Sequence, residues 1–221
     1  MAWLLLDFDG TVVDTGGDIA AATNHVRALL DLPPLEVEEV LRHVGSGAEK
    51  LLEDLLPLEP GPELDRMVAA WRAYYVAHPA DHSRLYPGME EVLERIPSSR
   101  MALVSNKPEE VVRQVLEALS LEDRFARVLG WVPQRPRKPD PSMLREALEA
   151  LGGVPERTAM VGDGAPDMEA ARALGCLPLG AGWGFHGRET LERAGAARIL
   201  VRPGEILDWW EAQARLQGGD E

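Results

Sequence analysis

Short runs that are apolar on both faces recur along this chain, and no other feature restricts its fold as much. Trp3–Leu6 is the first, followed by Met101–Val104, Val128–Trp131, Thr158–Val161 and Ala197–Val201, with a weaker run at Cys176–Gly180. A strand that is apolar on both faces must be covered on both, which is the condition of a parallel sheet with helices on each side. Helix-period patterns do separate the runs, at Met89–Ile96, Glu109–Leu119, Pro141–Leu151, Pro166–Leu174, Arg188–Ala194 and Gly204–Leu216. The alternation predicts right-handed crossovers and an α/β, doubly wound, mostly parallel sheet.

Residues 15–81 break the alternation, because they carry helix periodicities only. Three apolar stripes stand out: Ile19, Ala22, Val26, Leu29 and Leu30; Ala48, Leu51, Leu52, Leu55 and Leu56; Leu64, Met67, Val68, Trp71 and Tyr75. Pro33-Pro34, Gly45-Ser46-Gly47 and the stretch from Pro57 to Pro62 mark the loops between them. The expected organisation is a core of residues 1–14 and 82–221 with a helical insert at 15–81.

Composition bounds the partners. The 221 residues include 23 Lys+Arg against 37 Asp+Glu, a formal charge of −14. That balance argues against a nucleic-acid or anionic-membrane surface. A single cysteine, Cys176, rules out an internal disulfide framework. The apolar run Ala2–Leu6 is too short for a secretory leader and lacks a basic flank, and no run is long enough to span a bilayer. A cytoplasmic protein is expected, with no membrane or nucleic-acid partner; the oligomeric state stays open.

In a doubly wound sheet, ligands bind beyond the carboxyl ends of the strands, so the polar residues there carry the chemistry. Asp7 and Asp9 end the first run two residues apart and share one face, while Phe8 points to the other. Ser105-Asn106 ends the second, and Pro108 follows at a helix entry, where a hydroxyl and free N–H groups can cradle an anion or simply cap the helix. Lys138 precedes Pro139-Asp140-Pro141, which fixes it at the mouth of another helix; Arg135 and Arg137 beside it read as surface charges. In VGDGAPDMEAARALG, Asp163 ends a strand and Asp167 falls in the next first helical turn, with Gly175 suited to a left-handed stop. Four carboxylates in one crevice call for a cation, and an oxygen-only ligand set points to Mg²⁺.

DFDGT, Ser105, Lys138 and the GDxxxD of Asp163 and Asp167, in that order, resemble the four motifs of the haloacid dehalogenase superfamily of phosphohydrolases. SNKP, YPGMEEVL and HVGSGAEKLL look like its phosphoglycolate phosphatase branch. The resemblance spans nearly the whole chain and implies a Rossmann-like core with the insert as a cap domain. It departs slightly at Thr15 and Gly164, where serine is common. It implies that Asp7 is the nucleophile forming an aspartyl phosphate, Asp9 the general acid and base, and Lys138 a catalytic cation. Ser105 and Asn106, with Gly10 and Thr11, are candidate phosphate contacts. Asp7, Asp9 through its backbone carbonyl, and Asp163 would ligate Mg²⁺, with Asp167 acting through water or orienting Lys138.

The expected activity is Mg²⁺-dependent hydrolysis of a small phosphate ester, phosphoglycolate above others. An acid at Asp9 disfavours dehalogenation and phosphonate cleavage. A phosphomutase of the β-phosphoglucomutase type and a phospho-accepting signalling domain remain as alternatives. In the insert, Gly45 and Ser46 are candidate leaving-group contacts, Lys50 and Arg42 weaker ones. His25, His43 and His186 show no partner pattern, and Trp209 and Trp210 are expected to pack the last helix on the sheet.

Overall fold

The computed structural model describes residues 2–215. The chain opens with β1 (Trp3–Leu6) and β2 (Val13–Asp14), then passes through α1 (Gly16–Ala28), α2 (Val37–Leu41), α3 (Ala48–Leu55) and α4 (Pro62–Ala77) to β3 (Arg84–Leu85). Helices and strands then alternate: α5 (Met89–Arg95), β4 (Met101–Pro108), α6 (Glu109–Ala118), β5 (Arg127–Trp131), α7 (Ser142–Ala150), β6 (Thr158–Gly162), α8 (Ala165–Leu174), β7 (Leu177–Ala181), α9 (Arg188–Ala194), β8 (Arg198–Leu200) and α10 (Glu205–Arg215).

The main sheet runs β5-β4-β1-β6-β7-β8, and every neighbouring pair is parallel. From β1 the chain builds outward through β4 and β5, then returns to the other side of β1 for β6, β7 and β8. That reversal opens a crevice beyond the ends of β4, β1 and β6. The period of two sorts each strand between two cores. Leu4, Leu6, Met101, Leu103, Ala159 and Val161 face one layer with Val112 and Leu116 of α6. Trp3, Leu5, Ala102, Val104 and Met160 face the other with Met143 and Leu144 of α7 and Ala170 of α8. Burying each large side chain here contributes roughly 1.5–3 kcal/mol.

The expected elements recur with small shifts. The run at Met101–Val104 continues as strand to Pro108, so Pro108 ends β4 and α6 starts at Glu109. Similarly α7 starts at Ser142, where Asp140 Oδ1 accepts the Ser142 N–H at 2.8 Å. Gly175 ends α8 with φ +87°, as its sequence position predicts. The last residue expected in α10, Leu216, lies outside the described residues.

Residues 15–81 carry α1 to α4 and no strand. The stripe of α4 is buried throughout, from Leu64 to Tyr75, but Leu29, expected in the first stripe, is 54% exposed, because α1 ends at Ala28 and Leu29 has left the packed face. Trp71 Nε1 donates to Thr23 Oγ1 at 3.2 Å, and buried Arg27 donates to the carbonyls of Pro33 and Leu55 at 2.9 and 2.5 Å. One contact the sequence does not announce is the antiparallel pairing of β2 with β3, which brings the two ends of this segment together. Buried Asp18 reinforces it, accepting the His82 N–H at 3.0 Å and the Ser83 hydroxyl at 2.5 Å. Among the described residues, no helix is long and apolar enough to cross a membrane.

Candidate active site

Beyond the end of β1 the chain turns sharply at Gly10, whose φ of +74° lies in the region that favours glycine. A Cβ there would stand 2.3 Å from Asp163 Oδ2, so glycine also lets the Asp163 carboxylate approach. The Asp7 N–H continues the sheet to the Val161 carbonyl at 2.9 Å, fixing the acid opposite the end of β6. Asp163 follows β6 directly. Gly162, before it, leaves room for Asp167, whose Cγ would be 2.2 Å from any Cβ at that position. Asp167 itself is held at the start of α8, accepting the Gly164 N–H through Oδ2 at 3.1 Å.

Three acids meet as a result. Asp7, Asp163 and Asp167 each present a carboxylate oxygen, all within 4.8 Å of one another. Lys138 lies between two of them, its Nζ donating to Asp7 Oδ1 at 2.8 Å, to Asp167 Oδ1 at 2.6 Å and to the Val104 carbonyl at 2.7 Å. Those bonds use all three ammonium hydrogens. Burial opposes its charge, but Asp167 and Asp7 outweigh that and hold the lysine protonated. Burial, then the neighbouring Asp167, pushes the Asp7 carboxyl up to about 7 even with Lys138 beside it. Asp163 and Asp167 are raised from the usual carboxylate range, in both cases chiefly by burial, against the pull of His186 and Lys138 respectively. A crowded, buried set of oxygen donors in which one lysine joins only two of three acids suits a hard divalent ion such as Mg²⁺.

Asp9 shares the crevice with these three acids. Its backbone follows Asp7, and both line the same cavity, but the Asp9 carboxylate is not part of the group of three. Its Oδ1 instead accepts the Thr15 hydroxyl at 2.5 Å and the Lys107 ammonium at 2.9 Å.

The other candidates divide. Ser105 lines the cavity, and its Oγ accepts the Lys107 N–H at 3.2 Å. Asn106 also lines it, yet its amide is engaged by protein: Nδ2 donates to the Gly45 and Lys138 carbonyls, both at 2.9 Å, and Oδ1 accepts the Lys138 N–H at 2.8 Å. Its role is thus to hold Lys138 and the Gly45 loop together. Thr11 is buried with its hydroxyl unpartnered among the described residues, and its carbonyl accepts Trp183 Nε1 at 3.0 Å. Gly45 lines the cavity, whereas Ser46 is exposed and does not. Lys50 is turned to solvent, paired with Glu53 at 3.1 Å and Asp54 at 2.7 Å, and Arg42 is exposed.

Arg135 and Arg137 are more than surface charges. Arg135 bridges Glu109 and Glu146 at 2.8 and 3.0 Å, and Arg137 pairs with Glu49 of α3 while stacking on Trp131 at 3.9 Å. Trp209 and Trp210 do pack against the core.

Two residues escaped sequence reasoning. His186, in the loop after β7, places Nδ1 3.3 Å from Asp163 Oδ2 and also bonds the Val44 backbone, which together raise its pKa. Only the folded chain brings those partners together. Lys107 carried a signal, being a charged residue directly after Ser105-Asn106 at a strand end.

Comparison with known proteins agrees with this geometry. Residues 4–180 match the family model of haloacid dehalogenase-like hydrolases. A phosphoglycolate phosphatase of Chromobacterium violaceum is 36% identical over 192 residues, covering 84% of this chain and 86% of that protein. One from Aquifex aeolicus is 33% identical over 187 residues, with the same coverage of 84% and 86%. The crystal structure of a predicted phosphoglycolate phosphatase from Haemophilus somnus superimposes with a TM-score of 0.84 at 25% identity, covering 94% of this chain and 97% of that one. A haloacid dehalogenase-like hydrolase from Streptococcus pneumoniae shares the fold, with a TM-score of 0.85 at 24% identity over 95% of this chain and 98% of its own. The chain belongs to the haloacid dehalogenase-like hydrolase family. Within that family it falls in the phosphoglycolate phosphatase-like branch, and it is a phosphatase.

Proposed function

We propose that this phosphatase hydrolyses a small phosphomonoester through an aspartyl phosphate on Asp7, with Mg²⁺ as cofactor and 2-phosphoglycolate as substrate. The observation that carries the reading is the meeting of Asp7, Lys138 and Asp167 at 2.8 and 2.6 Å beside Asp163, with Asp9 on the same cavity. The curated relatives' common activity supports the choice of substrate.

Asp7 is the nucleophile. Its carboxylate oxygen bonds to phosphorus as the ester P–O bond breaks, and Asp9 gives its proton to the departing alkoxide. Asp9 then takes a proton from a water molecule whose oxygen attacks the phosphorus of the acyl phosphate, releasing inorganic phosphate and restoring Asp7. Lys138 keeps Asp7 oriented and offsets charge on the phosphoryl oxygens, and Ser105 offers a hydroxyl to the same oxygens. Asp7, the Asp9 carbonyl and Asp163 would hold Mg²⁺, with Asp167 close by; when bound, the ion supplies charge neutralisation at the phosphoryl group. Residues 15–81 serve as a cap over this centre, their Gly45 loop tied to the core through Asn106, and exclude water from it.

The test is phosphate release from a panel of monoesters that includes 2-phosphoglycolate and hexose phosphates, with and without Mg²⁺, for the wild type, Asp7→Asn and Asp9→Asn. Preference for 2-phosphoglycolate, dependence on Mg²⁺ and loss of turnover in both variants are expected. Near-normal rates in either variant would falsify the mechanism, and sugar-phosphate interconversion without net release would move the assignment to a mutase.

A further inference from the structure

We infer that Lys107 binds an anionic group on the leaving alcohol and that taking up this group releases Asp9 for proton transfer, which makes the substrate class the phosphomonoesters of small hydroxy acids. The inference rests on the phosphatase reading above and adds the residue that selects the substrate.

Lys107 is 5% exposed and lines the cavity. Its Nζ donates to Asp9 Oδ1 at 2.9 Å and stands 4.1 Å from the ring centre of Tyr75 and 5.9 Å from that of Trp71. An ammonium carries three donor hydrogens, and this one has a single hydrogen-bond acceptor among the described residues, with ring faces offering weaker contacts. Lys138 is in the opposite state, saturated by Asp7, Asp167 and the Val104 carbonyl. Of the two buried lysines at this centre, Lys107 is therefore the one with donor capacity left for a ligand. Lys50, turned to solvent on α3, cannot compete for that role.

The same bond restrains the acid. Asp9 Oδ1 is shared between Lys107 and Thr15, and a carboxyl delivering a proton to a leaving oxygen must be free to turn toward it. A second anion on the substrate draws the ammonium to itself and loosens that grip. An uncharged leaving group leaves Lys107 on Asp9. The walls narrow the class further: Ile19, Ala48, Leu51 and Trp71 make the insert side of the cavity apolar. A short carbon chain ending in one carboxylate suits apolar walls around a single ammonium, whereas a sugar ring would set its hydroxyls against them.

The matched probes are 2-phosphoglycolate and ethyl phosphate, which differ by a carboxylate in place of a methyl group, assayed with Mg²⁺ on wild type, Lys107→Met and Lys107→Arg. Methionine keeps the length and packs between the rings, so a thermal midpoint near the wild type's verifies folding. The ratio of kcat/KM for the two esters is expected to fall roughly 100-fold in Lys107→Met, the range for a lost charge-assisted hydrogen bond, and to recover in part in Lys107→Arg. The loss on 2-phosphoglycolate should fall on KM, while kcat on ethyl phosphate should rise, because without Lys107 the Asp9 carboxyl is free whichever ester is bound. A ratio unchanged in Lys107→Met, or equal losses on both esters in a folded variant, overturns the role in recognition; a kcat on ethyl phosphate that does not rise in Lys107→Met overturns the release of Asp9. Glucose 1,6-bisphosphate against glucose 1-phosphate forms the other arm, and a ratio that depends on Lys107 there instead overturns the hydroxy-acid class in favour of a second phosphate. A wild type indifferent to 2-phosphoglycolate refutes the substrate assigned under the proposed function, while the Lys107 dependence of any preferred anionic ester over its uncharged analogue still decides the inference.

Discussion

Lys138→Met removes the side chain that lies between Asp7 and Asp167, and the structure sets the size of the effect. The ammonium is 2% exposed at the side chain, Asp167 3% and Asp7 14%, so none of the three is well screened by water. Removing one partner of a buried ion pair costs about 3–5 kcal/mol, because the other charge stays buried and uncompensated. For a chain of this size that lowers the thermal midpoint by roughly 6–20 °C. The deficit must also depend on pH. The Asp7 carboxyl stands at about 7 in the folded protein against 3.8 for an unperturbed aspartate, and Asp167 is raised in the same direction. A carboxyl with its folded pKa raised favours the folded state when protonated, a contribution complete below the unfolded value and lost as pH climbs through the folded one. Calorimetry in EDTA should therefore show a large deficit for Lys138→Met at about pH 8 and a smaller one at about pH 5.5, where the acids hold protons in place of the lysine. Millimolar Mg²⁺ should restore part of the loss at the higher pH. A variant as stable as the wild type at about pH 8 without metal, or a deficit independent of pH, would show that the acids do not depend on Lys138.

Mg²⁺, binding the folded site alone, should stabilise the wild type by about 2.7 kcal/mol at a hundred times its Kd and so raise its thermal midpoint. The shift should shrink as protons compete for the three acids below neutral pH; a midpoint unmoved at millimolar Mg²⁺ counts against the metal site. Gly162→Ala places a Cβ where Asp167 Cγ lies 2.2 Å away, so a folded protein with kcat lowered on the order of 100-fold is expected, and a rate near the wild type's would show that Asp167 can move without cost.

What could be read from the sequence follows from how local each signal is. Trp3–Leu6, Thr158–Val161 and the acids that close them announce themselves, because burial on both faces and the polar stop fall within a few consecutive residues. Asp7, Asp163 and Asp167 are expected in one crevice for that reason, and Lys138 joins them only through the resemblance to the haloacid dehalogenase superfamily; the structure brings the four together. Asp9 shares their cavity, as the period of two implies, while its carboxylate reaches aside to Thr15 and Lys107. The β2 with β3 pairing joins residues about seventy positions apart through two-residue strands, too short to leave a periodic pattern. Arg137 on Trp131 and Glu49, and His186 on Asp163, depend on which loops the fold sets side by side, and no spacing encodes that.

The central claim is that Asp7 carries the phosphoryl group. Acid quenching of the wild type during turnover of 2-phosphoglycolate with Mg²⁺, followed by peptide mass spectrometry, measures it directly. The account predicts one phosphoryl group on the peptide that contains Asp7, located on that residue and absent from Asp7→Asn. A phosphoryl group on another side chain, or none under conditions where phosphate is being released, would contradict it.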